Sequence, residues 1–178
     1  MKETRIAYRY AKSLLAMALE QGEIENTYID MKNVSEICSQ SKGLSLLLKS
    51  PIVKPDKKTD ILREIFSNRL GKLSLSFIDI IIQKRRESYL EAIAREFQYQ
   101  YKSHKNILTA IVTSAVGLDD KIRNEIMRIV RESSNAEVEL VEKEDKELIG
   151  GLILRVGDKQ FDASIQRKLL NLRRDFKN

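Results

Sequence analysis

The sequence predicts an α+β chain: an all-helical bundle of about six helices followed by a small α/β lobe. Three observations carry this. Glycine and proline are sparse before residue 105, where only Gly22, Gly43, Gly71, Pro51 and Pro55 interrupt helical apolar spacing. From Ile107 the apolar period changes from helical to alternating. Charge divides at the same place: residues 1–105 carry 19 basic and 13 acidic side chains, and residues 106–178 carry 13 of each. The expected domains are therefore 1–105 and 106–178.

The first helix is read over Arg5 to Gln21. Ile6, Tyr10, Ser13 and Met17 form one stripe and Ala7, Ala11, Leu14 and Ala18 the adjacent one, with Gly22 closing it. A second helix spans Glu23 to Ser39, with Tyr28, Met31, Val34, Ile37 and Cys38 inward. Leu44 to Lys49 is a short apolar turn ended by Pro51 and Pro55, and Asp56 to Phe66 is helical through Ile61, Leu62, Ile65 and Phe66. Leu73 to Lys84 is apolar almost all round, which requires cover on more than one side. Glu87 to Lys105 is a long amphipathic helix carrying Leu90, Ile93, Ala94, Phe97 and Tyr101.

In the second lobe, Ile107 to Val116 alternates as a strand, with Ile107, Thr109, Ile111 and Thr113 on one face. Asp119 or Asp120 N-caps a helix whose inward stripe is Ile122, Ile126, Ile129 and Val130. Glu137 to Glu142 and Leu152 to Val156 are strands, and Gly157-Asp158 is a hairpin signal before Lys159 to Phe161. Ser164 N-caps a last helix with Ile165, Leu169, Leu172 and Phe176 on one stripe, which a lobe this small needs mostly for its own core.

Composition narrows the chemistry. Hydrophobic residues make up 42% and charged ones 33%, enough apolar content for a core. The chain's apolar runs, Ile80 to Ile82 among them, are far short of a membrane span of about 20 residues. One cysteine, Cys38, excludes an internal disulfide framework, and one histidine, His104, leaves no His pair for zinc. Cys38 reads as a small core residue and His104 as a solvated helix end. Gly150-Gly151 precede a strand, whereas phosphate cradles lie between a strand and a helix, so these glycines serve backbone geometry. Asp158 and Asp162 read as a turn and a helix entry rather than a catalytic pair. No catalytic residue, metal ligand or cofactor is expected.

The net charge of +6 and a pI near 9.3 permit an acidic partner without demanding one. Lys84-Arg85-Arg86 and Arg173-Arg174 are the dense basic clusters, and both read as solvated helix ends. A basic RNA- or DNA-binding protein with a helical lobe is the alternative from another class, although no aromatic–basic signature accompanies it.

The run Ile149-Gly150-Gly151-Leu152-Ile153-Leu154-Arg155-Val156-Gly157-Asp158, followed by Phe161-Asp162-Ala163-Ser164 and a Leu-rich helix, resembles the signature of the delta subunit of F-type rotary ATP synthase. That subunit is the bacterial counterpart of the mitochondrial oligomycin-sensitivity-conferring protein. Arg9-Tyr10-Ala11-Lys12-Ser13-Leu14, Leu48-Lys49-Ser50-Pro51 and Val112-Thr113-Ser114-Ala115 are similar to further landmarks of the family, in order along nearly the whole chain. Gly117 and Lys146 depart from it at positions where proline is common.

The resemblance implies a non-catalytic stator subunit of a proton- or sodium-translocating enzyme. It would be present in one copy per complex, at the cytoplasmic face of the bacterial inner membrane, and held to the membrane only through the complex. The helical lobe would grip N-terminal helices of the alpha subunits, and the C-terminal lobe the far end of the b subunit. No nucleic acid and no homo-oligomer are expected. The residues assigned to the alpha groove are Ile6, Tyr10, Ser13, Met17, Ser76 and Ile80, the spare faces of two helices. Leu170, Arg173 and Arg174 are assigned to subunit b. Gly150, Gly151, Gly157, Asp158, Asp162 and Ser164 form the structural signature.

Overall fold

The structure is a computed structural model and describes residues 2–134 and 136–175. The chain separates into two compact units, Met1–Lys102 and Ser103–Asn178. The first contains α1 (Lys2–Glu20), α2 (Ile24–Gln40), α3 (Lys42–Lys49), α4 (Pro55–Phe66), α5 (Lys72–Gln83), a 3-10 turn at Glu87–Tyr89 and most of α6 (Leu90–His104). The second contains β1 (Ile107–Ser114), α7 (Asp120–Ser134), β2 (Glu137–Glu144), β3 (Leu152–Val156), β4 (Lys159–Asp162) and α8 (Ile165–Asp175).

In α1 it is the alanine-rich stripe that enters the core: Ala7, Ala11, Leu14 and Ala18 are all at most 3% exposed. Small side chains on this row let neighbouring helices approach closely. The helix stops in a Schellman turn, in which the Gly22 N–H donates to Leu19 O (3.2 Å) and the Glu23 N–H to Ala18 O (2.9 Å). Gly22 takes φ +69° there, a conformation that costs a residue with a Cβ.

The core of the helical unit includes Met31, Val34, Leu62, Phe66, Phe77, Ile81, Ile82, Leu90, Ile93 and Phe97. Tyr28 and Ile37, expected inward, are half-buried, while α2 buries three polar side chains, Thr27, Asp30 and Ser35. Each is satisfied locally or by another element: Thr27 Oγ1 donates to Glu23 O, and Gln98 donates to Ser35 Oγ at 2.9 Å. Asp30 Oδ2 accepts the Gly71 N–H at 2.9 Å, serving the residue that precedes α5. Leu44 to Lys49, read as a turn, is the C-terminal part of α3, capped by Ser41 Oγ accepting the Leu44 N–H.

The sheet has the order β2-β1-β3-β4. β1 and β2 are parallel, with Ala110 opposite Leu140, and α7 forms the crossover between them. β1 and β3 are antiparallel, with Val112 opposite Leu154, and β3 and β4 form a hairpin closed by Gly157-Asp158. Ala110, Val112, Ile126, Val130 and Val138 make the core of this unit, with Leu118, Met127, Leu140, Leu152, Leu154 and Val156 packed against it. Ile107, Thr109, Ile111 and Thr113 alternate onto the opposite face and are half-buried.

Two expectations for this unit are corrected. On α7 the buried apolar residues are Ile126 and Val130, with Met127 packed beside them; Ile122 and Ile129, two turns apart on one flank, are exposed. The stripe of α8 is not core: Ile165, Leu169 and Leu172 are 42%, 54% and 51% exposed. The core forms on the sheet face that α7 covers, and no described α8 residue belongs to it. Phe176, placed on the same stripe, lies outside the described residues.

Candidate functional site

α1 presents its second stripe to solvent. Ile6, Tyr10 and Met17 are half-buried and Ser13 is exposed. Ile6, Tyr10 and Ser13 line a hollow of about 290 Å³ together with Arg9 and Arg86. One turn further on, Met17 lines a second hollow of about 330 Å³ with Gln21, Lys72, Leu73, Ser76, Phe77 and Ile80. The beginning of α1 thus meets the residues just after α5, and the end of α1 meets the beginning of α5. The two helices run antiparallel with one hollow towards each end, a shallow trough in two parts. Ile6, Tyr10 and Ser13 line one part and Met17, Ser76 and Ile80 the other.

The two hollows differ in character: the one at Ile6 to Ser13 is mixed, with Arg9 and Arg86 in its lining, and the one at Met17 to Ile80 is the more apolar. Ser13 Oγ donates back to Arg9 O at 3.0 Å, so its hydroxyl is occupied within its own helix. Ile80 is 42% exposed although α5 buries Phe77, Ile78, Ile81 and Ile82 on its other sides. This is the surplus apolar surface that the composition of α5 requires. Arg9 is a lining residue that the pattern reading passed over, although it stands three residues after Ile6 and four before Ser13 on the same stripe.

The residues assigned to subunit b fall elsewhere, on α8. Leu170 and Arg174 line a hollow of about 430 Å³ with Asp162, Ser164, Gln166 and Arg167; Arg173 does not. Leu170 is exposed.

The glycine signature builds the entry to α8. Gly151 takes φ +81°, and a Cβ on it would stand 2.4 Å from Ala163 O and 2.9 Å from Ser164 Cα. The backbone crossing is closed by Ala163 N–H donating to Leu152 O and Ile165 N–H to Gly150 O, each at 2.9 Å. Ser164 Oγ then accepts the Arg167 N–H, and Asp162 Oδ1 accepts the Ser164 N–H at 3.0 Å. Ser164 first, with help from Arg167, holds the Asp162 carboxyl below its ordinary range. Asp158 is exposed in the hairpin turn.

Among the described residues no group of three His, Cys, Asp or Glu side chains is placed to hold a metal ion. Burial, reinforced by Glu91, pushes the Cys38 thiol up to about 11, so it stays protonated inside the bundle. Among the described residues no helix is long and apolar enough to cross a membrane.

The family model for the ATP synthase delta (OSCP) subunit matches residues 6–176. A relative from Cytophaga hutchinsonii called ATP synthase subunit delta is 35% identical over 99% of this chain and 96% of its own length. One of the same name from Christiangramia forsetii is 36% identical over 100% and 96%. A chain of the Toxoplasma gondii mitochondrial ATP synthase hexamer superposes with a TM-score of 0.75, covering 97% of both chains at 19% identity, which establishes a shared fold. These likenesses support a stator role, and none supports the nucleic-acid-binding alternative. The chain belongs to the ATP synthase delta (OSCP) subunit family.

Proposed function

We propose that this protein clamps the catalytic head of ATP synthase to its side stalk, through two separate surfaces. The helical unit docks an amphipathic N-terminal helix of an alpha subunit in the α1–α5 trough. The C-terminal unit, through α8, holds the C-terminal end of the membrane-anchored b subunit. One copy serves each complex at the cytoplasmic face of a bacterial inner membrane, and the protein performs no chemistry itself. Ion-driven rotation of the rotor is converted into work only if the head is kept from turning with it, and this clamp resists that torque. Sustained load favours buried apolar contact over exposed charge pairs, which contribute little each and are screened by salt.

The observation that carries the reading is the trough, in which surplus apolar faces of two helices lie open side by side. Helix-in-groove recognition uses such surfaces. The test is a titration of the full-length protein with a peptide of the same organism's alpha-subunit N-terminus. Ile80→Asp should weaken binding by more than about 2 kcal/mol, because it buries a charge among the apolar side chains of the Met17–Ile80 hollow under the peptide. The free protein should melt as before. A variant that binds as tightly as the parent refutes the docking site, and one that unfolds the bundle assigns the residue to the core instead.

A further inference from the structure

We propose that Arg9 and Arg86 form an anion clamp at one end of the trough, gripping a side-chain carboxylate of the helix docked there. The inference rests on the docking reading above and adds the chemistry of the occupant and the end at which its acid lies.

Both guanidiniums line the same hollow, beside Ile6, Tyr10 and Ser13. Neither enters an ion pair among the described residues, whereas Arg63, Arg95, Arg123, Arg128 and Arg167 each do. The second hollow adds Lys72, and among the described side chains no acid lines either one. Asp79, the acid that α5 itself carries, is committed to Arg63 at 2.8 Å and is absent from the lining. The trough therefore sets three exposed cationic side chains, Arg9, Arg86 and Lys72, beside apolar ones, with no acid among its described lining residues. Its complement is an amphipathic helix with acidic flanks, and at the Arg9–Arg86 end two planar donor forks favour a carboxylate over a hydroxyl or amide.

Backbone strain supports the placement. α5 ends in a Schellman turn like that of α1, but with Arg85 rather than glycine in the left-handed position, at φ +53°. The Arg86 N–H donates to Ile81 O at 2.9 Å and the Arg85 N–H to Ile82 O at 2.8 Å. Such a turn is disfavoured for a side chain larger than glycine's, and residues held this way cluster where a function needs the geometry. Here the turn reverses the chain immediately before Arg86 and leaves it facing α1.

The experiment is a calorimetric titration of the full-length protein with the alpha N-terminal peptide, at about 50 mM and about 500 mM NaCl. Arg9→Gln/Arg86→Gln should bind about five- to tenfold more weakly at the lower salt, and the gap should close at the higher. Replacing the peptide's acids by their amides should reproduce the loss with the parent protein and add nothing in the double variant. Lys57→Gln/Arg69→Gln removes the same charge from residues lining neither hollow and should change affinity less than about twofold. Equal binding by the Arg9/Arg86 variant, or an equal loss in the control, overturns the clamp while the trough stands. No binding by the parent protein overturns the docking reading and the clamp with it.

Discussion

Lys58 on α4 places its ammonium 2.6 Å from Glu87 Oε1, with the two side chains only 3% and 10% exposed. The same ammonium donates to Leu48 O at 3.1 Å, so one cation ties the end of α3 and the 3-10 turn to α4. Glu87 Oε2 is buried with no hydrogen-bond partner. A pair like this does not by itself add much stability, since the desolvation of both ions offsets their attraction; what it imposes is a penalty for losing one member.

That asymmetry gives the first prediction. Lys58→Met leaves Glu87 buried without its cation and should cost about 3–5 kcal/mol in a denaturant titration. Lys58→Met/Glu87→Leu removes both charges and should recover most of it. If the single and double variants are equally unstable, the ion pair is not what the site depends on.

The turn at Gly151 gives the second. Alanine there is strained at φ +81° and drives its Cβ into Ala163 O at 2.4 Å, a backbone atom that cannot swing aside. Gly151→Ala should destabilise the C-terminal unit by roughly 2–4 kcal/mol, seen as faster amide hydrogen exchange across β1, β3 and β4. Unchanged exchange would contradict the crossing geometry. ATP should leave the thermal melt of the protein unmoved, since the glycines hold backbone and not phosphate.

Much of this was legible in the sequence because it is local. The two stripes of α1 differ in residue size, and the alanine row is the buried one. Gly22 marks its helix end, and Gly157-Asp158 marks its hairpin, through turn chemistry confined to a few residues. The larger misses are non-local. Lys58 and Glu87 are 29 residues apart, and each reads alone as an ordinary surface charge. Ile122, Ile129 and the stripe of α8 have helical apolar spacing, but periodicity reports that a face is apolar, not what covers it. On α5 composition says more: a helix apolar all round has more surface than its neighbours can bury, and Ile80 is part of what stays open.

The two Schellman turns predict effects of opposite sign. Arg85→Gly relieves a left-handed arginine and should stabilise the helical unit by roughly 0.5–1 kcal/mol, less what glycine adds to the freedom of the unfolded chain. Gly22→Ala introduces the same strain at φ +69° and should destabilise by about 1 kcal/mol. Paired melts of the two variants read both signs at once. A destabilised Arg85→Gly would mean that the side chain contributes contacts outweighing the strain.

Acid should loosen the C-terminal unit through Asp162 and Glu142. Hydrogen bonds from Ser164 depress the first and those from Arg123, 2.5 Å from Glu142 Oε1, the second. A carboxyl depressed on folding stabilises the folded state above its unfolded value, near pH 4, and loses that contribution as pH falls through its folded value. Stability measured between about pH 6 and pH 2 should therefore fall below pH 4, and fall less in Asp162→Asn/Glu142→Gln. An identical acid slope in that variant would assign the loss to other groups.

The last prediction concerns α8. Each of its described apolar side chains is exposed, and its attachment to the sheet is the capped entry at Gly150 to Arg167. If α8 exists to be covered by a partner, removing it beyond that entry should leave the unit folded. Truncation after Arg167 keeps Ile165 over Gly150, where its Cδ1 would be 2.7 Å from a Cβ on that glycine, and keeps the Ser164 cap. It removes Leu169, Leu170, Leu172, Arg173 and Arg174 together. The truncated protein should retain the near-native exchange protection of β1 to β4 and bind the alpha N-terminal peptide undiminished. It should no longer capture the C-terminal end of the b subunit in a pull-down. Leu170→Asp should weaken that capture as well, as a charge set into an apolar contact does. Intact b capture by the truncated protein would move the stalk contact off α8, and loss of sheet protection would make α8 part of the lobe's own core after all.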